Sequence, residues 1–222
     1  MLNIAKNLDL LRDRIGHSCK KAGRNPGDVT IIAVTKTVSP EAIQQAFRHG
    51  VRHFGENRVQ EAEGKLPLLG NIATEATWHM LGHLQSNKVK LALALFHTVD
   101  SVDSLKLALA LEGHATKKLP VLLEVNVAGE VSKGGLAAGE LPSVAARVRR
   151  MSHLELRGLM TVAPLVPDPE EVRKVFRELK ELGDSLGLPE LSMGMSHDYE
   201  VAIEEGATMI RIGRAIFRER KT

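Results

Sequence analysis

The sequence predicts a single (β/α)8 barrel, of the TIM type, with an extra helix in front of it. Three observations carry this reading. Apolar, strand-like runs alternate with helical segments along the whole chain. Eight such runs can be counted. The chain has 222 residues, the size of one barrel-type domain, and strict alternation of this kind implies a parallel sheet. A doubly wound open sheet is the runner-up, because a count wrong by one or two strands would blur the two.

The elements follow in order. Ile4, Leu8, Leu11, Ile15 and Cys19 form a helical stripe. "GRNPGD" breaks it, and "VTIIAVTK" is the first strand. Ser39-Pro40-Glu41 starts a helix, with serine able to cap and proline suited to the first turn. Ile43, Ala46 and Phe47 give it a buried face, and Gly50 ends it. A short strand lies near "RHFGEN" (52–57), then a helix from Arg58. "TWHMLGH" (77–83) and "FHTVDS" (96–101) are strands flanking the helix "SNKVKLALAL". "LKLALALEGHA" is a helix and "PVLLEVNV" (120–127) the most apolar strand. The helix "GELPSVAARVRRMS" must hold Pro142 in its first turn. "LELRGLMTV" (154–162) is a strand. Asp168-Pro169-Glu170-Glu171 reads as a capping box opening a long helix with Val172, Val175, Leu179, Leu182 and Leu186 on one side. "LSMGMS" (191–196), the helix "HDYEVAIEEGA" and a last strand within "TMIRIGRAIF" (208–217) complete the alternation. The segment 127–140 is the longest flexible stretch, and it follows strand five.

Composition narrows the function classes. Lys+Arg number 30 against 27 Asp+Glu, net +3, which gives no strong argument for nucleic acid or membrane binding. Aromatics make up only 3%, so platforms for stacking bases are not expected. The N-terminus lacks the continuous apolar core of a signal peptide, and no run approaches a membrane span. The single cysteine, Cys19, cannot form an intramolecular disulfide, which fits a reducing compartment. The expectation is a cytoplasmic protein.

The fold predicts where chemistry belongs. Barrel sites lie at the C-terminal ends of the strands, and phosphate often binds after strands seven and eight. Those places carry Met193-Gly194-Met195-Ser196 and Arg211-Ile212-Gly213-Arg214. Both hold glycine, which admits an anion close to backbone N–H groups, and Ser196, Arg211 and Arg214 add a hydroxyl and charge. The plain alternative is that these glycines only serve turns. Lys36 ends strand one at the same mouth. It is either a solvated strand-end lysine or an amine whose partial desolvation frees it to attack an aldehyde. A phosphate-bearing aldehyde points to pyridoxal 5'-phosphate (PLP), with sugar phosphates as the other class.

The stretches "AVTKTVSPEAIQQAFRHGVRHFGENRVQEA", "WHMLGHLQSNK", "GLMTVAP" and "LSMGMSHDYEVAIEEGATMIRIGRAIF" resemble the pyridoxal phosphate homeostasis proteins. The resemblance covers residues 5 to 217. It implies a barrel like the N-terminal domain of alanine racemase, with one PLP-binding domain over 1–222. It also implies that Lys36 holds PLP as a Schiff base. By the same resemblance Ser196, Gly213 and Arg214 hold the cofactor phosphate, the Arg211 guanidinium faces the pyridine nitrogen, and Asn57 and His83 lie beside the cofactor. Arg214 stands where many members have Thr, Ser or Ala, and Arg218 where many have glycine.

Other motifs weigh less. His79 and His83 lie four apart in a strand-like segment without a zinc-site glutamate, so packing is preferred to metal. Adjacent Ser196-His197-Asp198 cannot converge as a triad and reads as a capped helix start. The basic runs 147–150 and 218–221 read as solvated faces, and Tyr199 as structural. An arginine at the ring nitrogen opposes the electron-sink chemistry of PLP. A racemase also needs a second base on the opposite face, which a tyrosine of the partner subunit's second domain supplies in alanine racemases. Tyr199 is wrongly placed for that role, and this chain ends with the barrel. The expected function is therefore non-catalytic PLP homeostasis: holding, buffering and delivering PLP, with PLP-dependent apoenzymes as recipients and a monomer as the default state. A weak PLP-dependent racemase-like enzyme is the first alternative, and a Schiff-base sugar-phosphate aldolase or isomerase the second.

Overall fold

The structure is a computed structural model that describes residues 3–130 and 134–218. Eight parallel strands close into a barrel in sequence order. They are β1 (Thr30–Val34), β2 (His53–Glu56), β3 (Thr77–Met80), β4 (Thr98–Val102), β5 (Leu119–Glu124), β6 (Leu154–Met160), β7 (Glu190–Met195) and β8 (Met209–Ile212). Closure comes from β1 pairing with both β2 and β8, with Ile32 opposite His53 on one side and Arg211 on the other. The helices are α1 (Ile4–Lys21), α2 (Pro40–Arg48), α3 (Val59–Lys65), α4 (Ile72–Glu75), α5 (Val89–Leu95), α6 (Leu105–His114), α7 (Leu141–Val148), α8 (Arg173–Leu186), α9 (Tyr199–Glu204) and α10 (Arg214–Phe217). The closed barrel thus stands in place of the open sheet.

Alternation along the strands makes two cores. Ile32, Leu81, Leu122, Met160 and Met209 form one cluster inside the barrel. Ala33, Phe54, Trp78, Val99 and Val121 belong to the larger one between strands and helices. The α1 stripe Ile4, Leu8, Leu11, Ile15 and Cys19 is buried throughout. That helix packs on α2, α9 and α10, each large aliphatic side chain contributing up to ~1.5–3 kcal/mol of transfer free energy. Buried Asn7 donates to the carbonyl of Ile216 at 2.9 Å and to that of Arg218 at 3.4 Å, tying the end of the described chain to α1.

Several element boundaries differ from the sequence reading, each for a local reason. β3 stops at Met80, so His83 lies beyond the sheet. β8 stops at Ile212, and Gly213 caps the single turn of α10. Asp168 caps as expected, accepting from the Glu170 N–H at 3.0 Å, but opens a 3-10 turn over Pro169–Val172 that leads into α8. Phe176 and Gly183 join Val172 and Leu179 as the most buried positions on that side, with Val175, Leu182 and Leu186 flanking. Pro142 sits in the first turn of α7. The helix after β7 begins at Tyr199, not at Ser196. Asp198 turns back and accepts from the Met195 N–H at 2.6 Å, so it braces the loop instead of capping. Within 127–140, Leu136 exchanges hydrogen bonds with Glu124 and Asn126, stitching the far end of the loop to β5. Residues 131–133, and 219–221 of the last basic run, lie outside the described residues.

Candidate functional site at the barrel mouth

Lys36, Gly213, Arg214 and Arg218 line one cavity at the C-terminal ends of β1 and β8, of about 280 Å³, with Val34, Thr37, Val38, Ser39, Ala42 and Phe217. Register explains the meeting, since β1 and β8 are neighbours and the loop after each opens on the same mouth. Ser196, from the loop after β7, joins them: its Oγ accepts from the Ala215 N–H at 3.3 Å. Gly194 lets that loop form. Its φ is +88°, and an added Cβ would sit 2.6 Å from Cβ of Ala202, so only glycine passes there. An amine and two guanidinium-bearing residues therefore line a cavity close to the lower end of the range for small-molecule sites, and the Ser196 hydroxyl is bonded to the turn that carries Arg214. That donor set suits a ligand with an aldehyde and a phosphate.

Lys36 is exposed. The desolvation expected of it is not supplied by the surrounding side chains, because the strand ends at Val34 and the lysine stands on the turn beyond it. Arg211 is apart from this cavity. It is 5% exposed and lies inside the barrel, donating to Ser192 Oγ at 2.8 Å and to the Thr161 carbonyl at 2.6 Å. Burial lowers its pKa, against the pull of nearby Asp100, Asp198 and Glu124. Asn57 and His83 do not line the Lys36 cavity but share a separate one of about 220 Å³ with Arg58, Gln60, Gln85 and Lys88. The two loops lie so close that a Cβ on Gly82 would fall 2.2 Å from the Asn57 carbonyl oxygen. His83 pairs with Asp103 at 2.6 Å. His79 is buried on β3 and pairs with Asp100, so the two histidines do not share a ligand. No group of three metal-ligating side chains occurs among the described residues.

Sequence reasoning missed the layer beneath Lys36. Lys65, buried at the end of α3, donates to Glu56 Oε1 at 2.6 Å, to the Thr35 carbonyl at 2.7 Å and to Glu61 Oε1 at 3.0 Å. Thr35 Oγ1 also donates to Glu56 Oε1 at 2.7 Å. Burial raises the pKa of Glu56, against the hydrogen bonds from Lys65 and Thr35. The available signal was the Glu61/Lys65 spacing of four, one helical turn, directly after the "FGEN" strand end.

Comparison with known proteins places the chain in a family. Residues 4–221 match the family described as alanine racemase, N-terminal domain. The pyridoxal phosphate homeostasis protein of Aquifex aeolicus is 41% identical, the alignment covering 99% of this chain and all of that one. That of Pseudomonas aeruginosa is 42% identical over 99% of this chain and 97% of its own. The chain belongs to the pyridoxal phosphate homeostasis protein family. PipY of Synechococcus elongatus, solved with PLP bound, superposes with a TM-score of 0.85 at 35% identity, covering 97% of this chain and 100% of that chain. Alanine racemase from Corynebacterium glutamicum shares the fold at a TM-score of 0.71 and 19% identity, with 61% of its chain covered.

Proposed function

We propose that this chain is a PLP-binding protein of PLP homeostasis, one domain over residues 1–222, which holds the cofactor covalently on Lys36. The observation that carries the reading is the shared cavity: exposed Lys36 lines it together with Gly213 and Arg214, with Ser196 bonded to the turn that follows Gly213. When bound, PLP supplies an aldehyde that condenses with a neutral lysine amine, releasing water, and a phosphate that needs fixed donors. Ser196 offers a hydroxyl, Gly213 a backbone free of side chain, and Arg214 positive charge. Arg211, fixed in the barrel by Ser192 and Thr161, is a rigid cation that disfavours protonation of a pyridine nitrogen brought near it. Asn57 and His83 line a separate cavity and are assigned to the cofactor side by this reading alone.

We assign no catalytic residue. Tyr199 is 3% exposed, and burial pushes its pKa up to about 12, so it supplies no second base at the mouth. PLP-dependent apoenzymes are the recipients in this reading, the protein acts as a monomer, and the buried free Cys19 fits a cytoplasmic setting. No helix among the described residues is long and apolar enough to cross a membrane. The test of function is Cα deuterium exchange with chiral product analysis over a panel of amino acids at saturating PLP. The expected result is exchange that is slow or absent. Turnover at ordinary enzyme rates, ~1–10³ s⁻¹, would make the protein an enzyme.

A further inference from the structure

The turn that carries Lys36 is held in an unusual shape. Thr35 to Val38 close on themselves, the Val38 N–H donating to the Thr35 carbonyl at 2.9 Å. Lys36 and Thr37 are the two central residues. Thr37 has φ +60°, and it is the one non-glycine residue with positive φ among the described residues. This third place of a turn ordinarily takes glycine when φ is positive, and a β-branched side chain there is strained. Something must hold it, and α3 provides the contacts. The Thr37 N–H donates to Glu61 Oε1 at 2.5 Å. The same oxygen receives Lys65, which also holds the Thr35 carbonyl and the buried carboxylate of Glu56. The residues on both sides of Lys36 are thus fastened to one cluster, while Lys36 itself stays free and exposed.

We infer that Glu61 is a positioning residue for Lys36. Backed by Lys65 and Glu56, it keeps Thr37 in the left-handed region and thereby presents the Lys36 amine to the mouth cavity. This rests on Lys36 being the cofactor lysine. Glu61 touches neither the cavity nor its phosphate-side residues. Its side chain is 26% exposed, which makes it the member of the cluster that can be changed without opening the core.

The mechanism predicts a coupling that plain destabilisation does not. Without Glu61, Thr37 relaxes toward negative φ and the presented form of the turn becomes a minor one. With glycine at 37 the left-handed form is free of strain, so the clamp matters little. The experiment compares the full-length wild type, Glu61→Gln, Glu61→Ala, Thr37→Gly and the double variant Thr37→Gly/Glu61→Ala. Each apoprotein is titrated with PLP, borohydride-trapped and mapped by mass, and its thermal unfolding is recorded. Glu61→Ala should lower PLP affinity and the rate of label uptake at Lys36 about tenfold, with the unfolding midpoint of the apoprotein changed little. Glu61→Gln keeps an oxygen for the Thr37 N–H and should recover most of that loss. In the Thr37→Gly background the Glu61→Ala effect should shrink to within about twofold.

The inference is overturned if wild type labels Lys36 and Glu61→Ala matches it in affinity and rate. It is overturned equally if the Glu61→Ala loss is as large with glycine at 37 as with threonine. A wild-type label on another lysine would instead remove the assignment of Lys36, and this inference with it. The mapping therefore tells the two failures apart.

Discussion

The two ends of the barrel bury polar groups in opposite ways. At the mouth, the cluster beneath Lys36 is ionic: Lys65 is shared between Glu56 and Glu61 and reaches into the β1 turn. At the N-terminal end, the barrel holds a chain of directional hydrogen bonds. Thr98 Oγ1 donates to Asp100 at 2.8 Å, Asp100 faces His79 Nδ1 at 2.8 Å, and His79 Nε2 faces His53 Nδ1 at 3.0 Å. Because the Asp100 carboxylate only accepts, His79 donates to it from Nδ1, and its Nε2 meets the Nδ1 of His53. These residues border a cavity of about 300 Å³ at that end, larger than the one at Lys36 yet without a lysine or a phosphate-binding loop. The two cavities therefore differ in chemistry far more than in size. In the proposed reading, function belongs to the end that couples a strained loop to an exposed amine, the end where barrels of this type place their chemistry.

The largest way to break the comparison is to remove the cation at the mouth. Lys65→Met leaves the Glu56 carboxylate buried and unpaired, and should cost ~3–5 kcal/mol of stability in urea unfolding. Adding Glu56→Leu should restore much of that loss, since no buried charge then remains. At the opposite end, Asp100→Asn removes a charge-assisted acceptor from His79 and a counter-charge near Arg211. It should cost ~2–3 kcal/mol of stability while the apparent affinity for PLP changes little. A large loss of PLP binding there would erase the division between the two ends.

These two clusters also mark the limit of what the sequence told. The barrel was legible because alternation and helical stripes are local, as the fully buried Ile4–Cys19 stripe illustrates. Lys36, Gly213 and Arg214 were legible because strand ends converge by topology. Ser196 was found for its hydroxyl, but the reading of a capped helix start failed: Asp198 spends its carboxylate on the Met195 N–H. Only the Glu61/Lys65 pair left a signal, its spacing of four; the reach of Lys65 to Glu56 and to the Thr35 carbonyl was not legible, because it depends on how α3 leans on the end of β1, and no period reports that. The positive φ of Thr37 was hidden for a related reason, since threonine gives no sign of a left-handed turn.

A smaller effect sharpens the mouth. Ser196→Ala should weaken PLP retention by ~1.5 kcal/mol, measured by titration, with the unfolding midpoint of the apoprotein unchanged. Equal affinity would place the phosphate elsewhere.

The smallest predicted effect is a difference of sign in pH dependence. Burial, aided by His79, lowers the pKa of His53, so the folded state resists its protonation. Its contribution is present above the ordinary imidazole value and is lost as pH falls from about 6.5 through the folded value. Glu56 is raised by burial, so its contribution is present below the ordinary carboxylate range and is lost as pH rises through its folded value. Stability of His53→Gln should therefore fall less than wild type on acidification below pH ~6.5, by at most ~1.4 kcal/mol per pH unit. Glu56→Gln should lose the acid-side gain instead. Denaturant titrations at several pH values read both slopes.

The central claim is that the mouth is a PLP site built on Lys36. It is tested most directly by loading the protein with PLP, reducing with borohydride and mapping the modified peptide by mass. The account predicts one dominant label on Lys36, absent in Lys36→Ala, although that variant keeps some reversible PLP binding through the phosphate contacts. A dominant label on Lys88 or any other lysine, or undiminished labelling in Lys36→Ala, would contradict it.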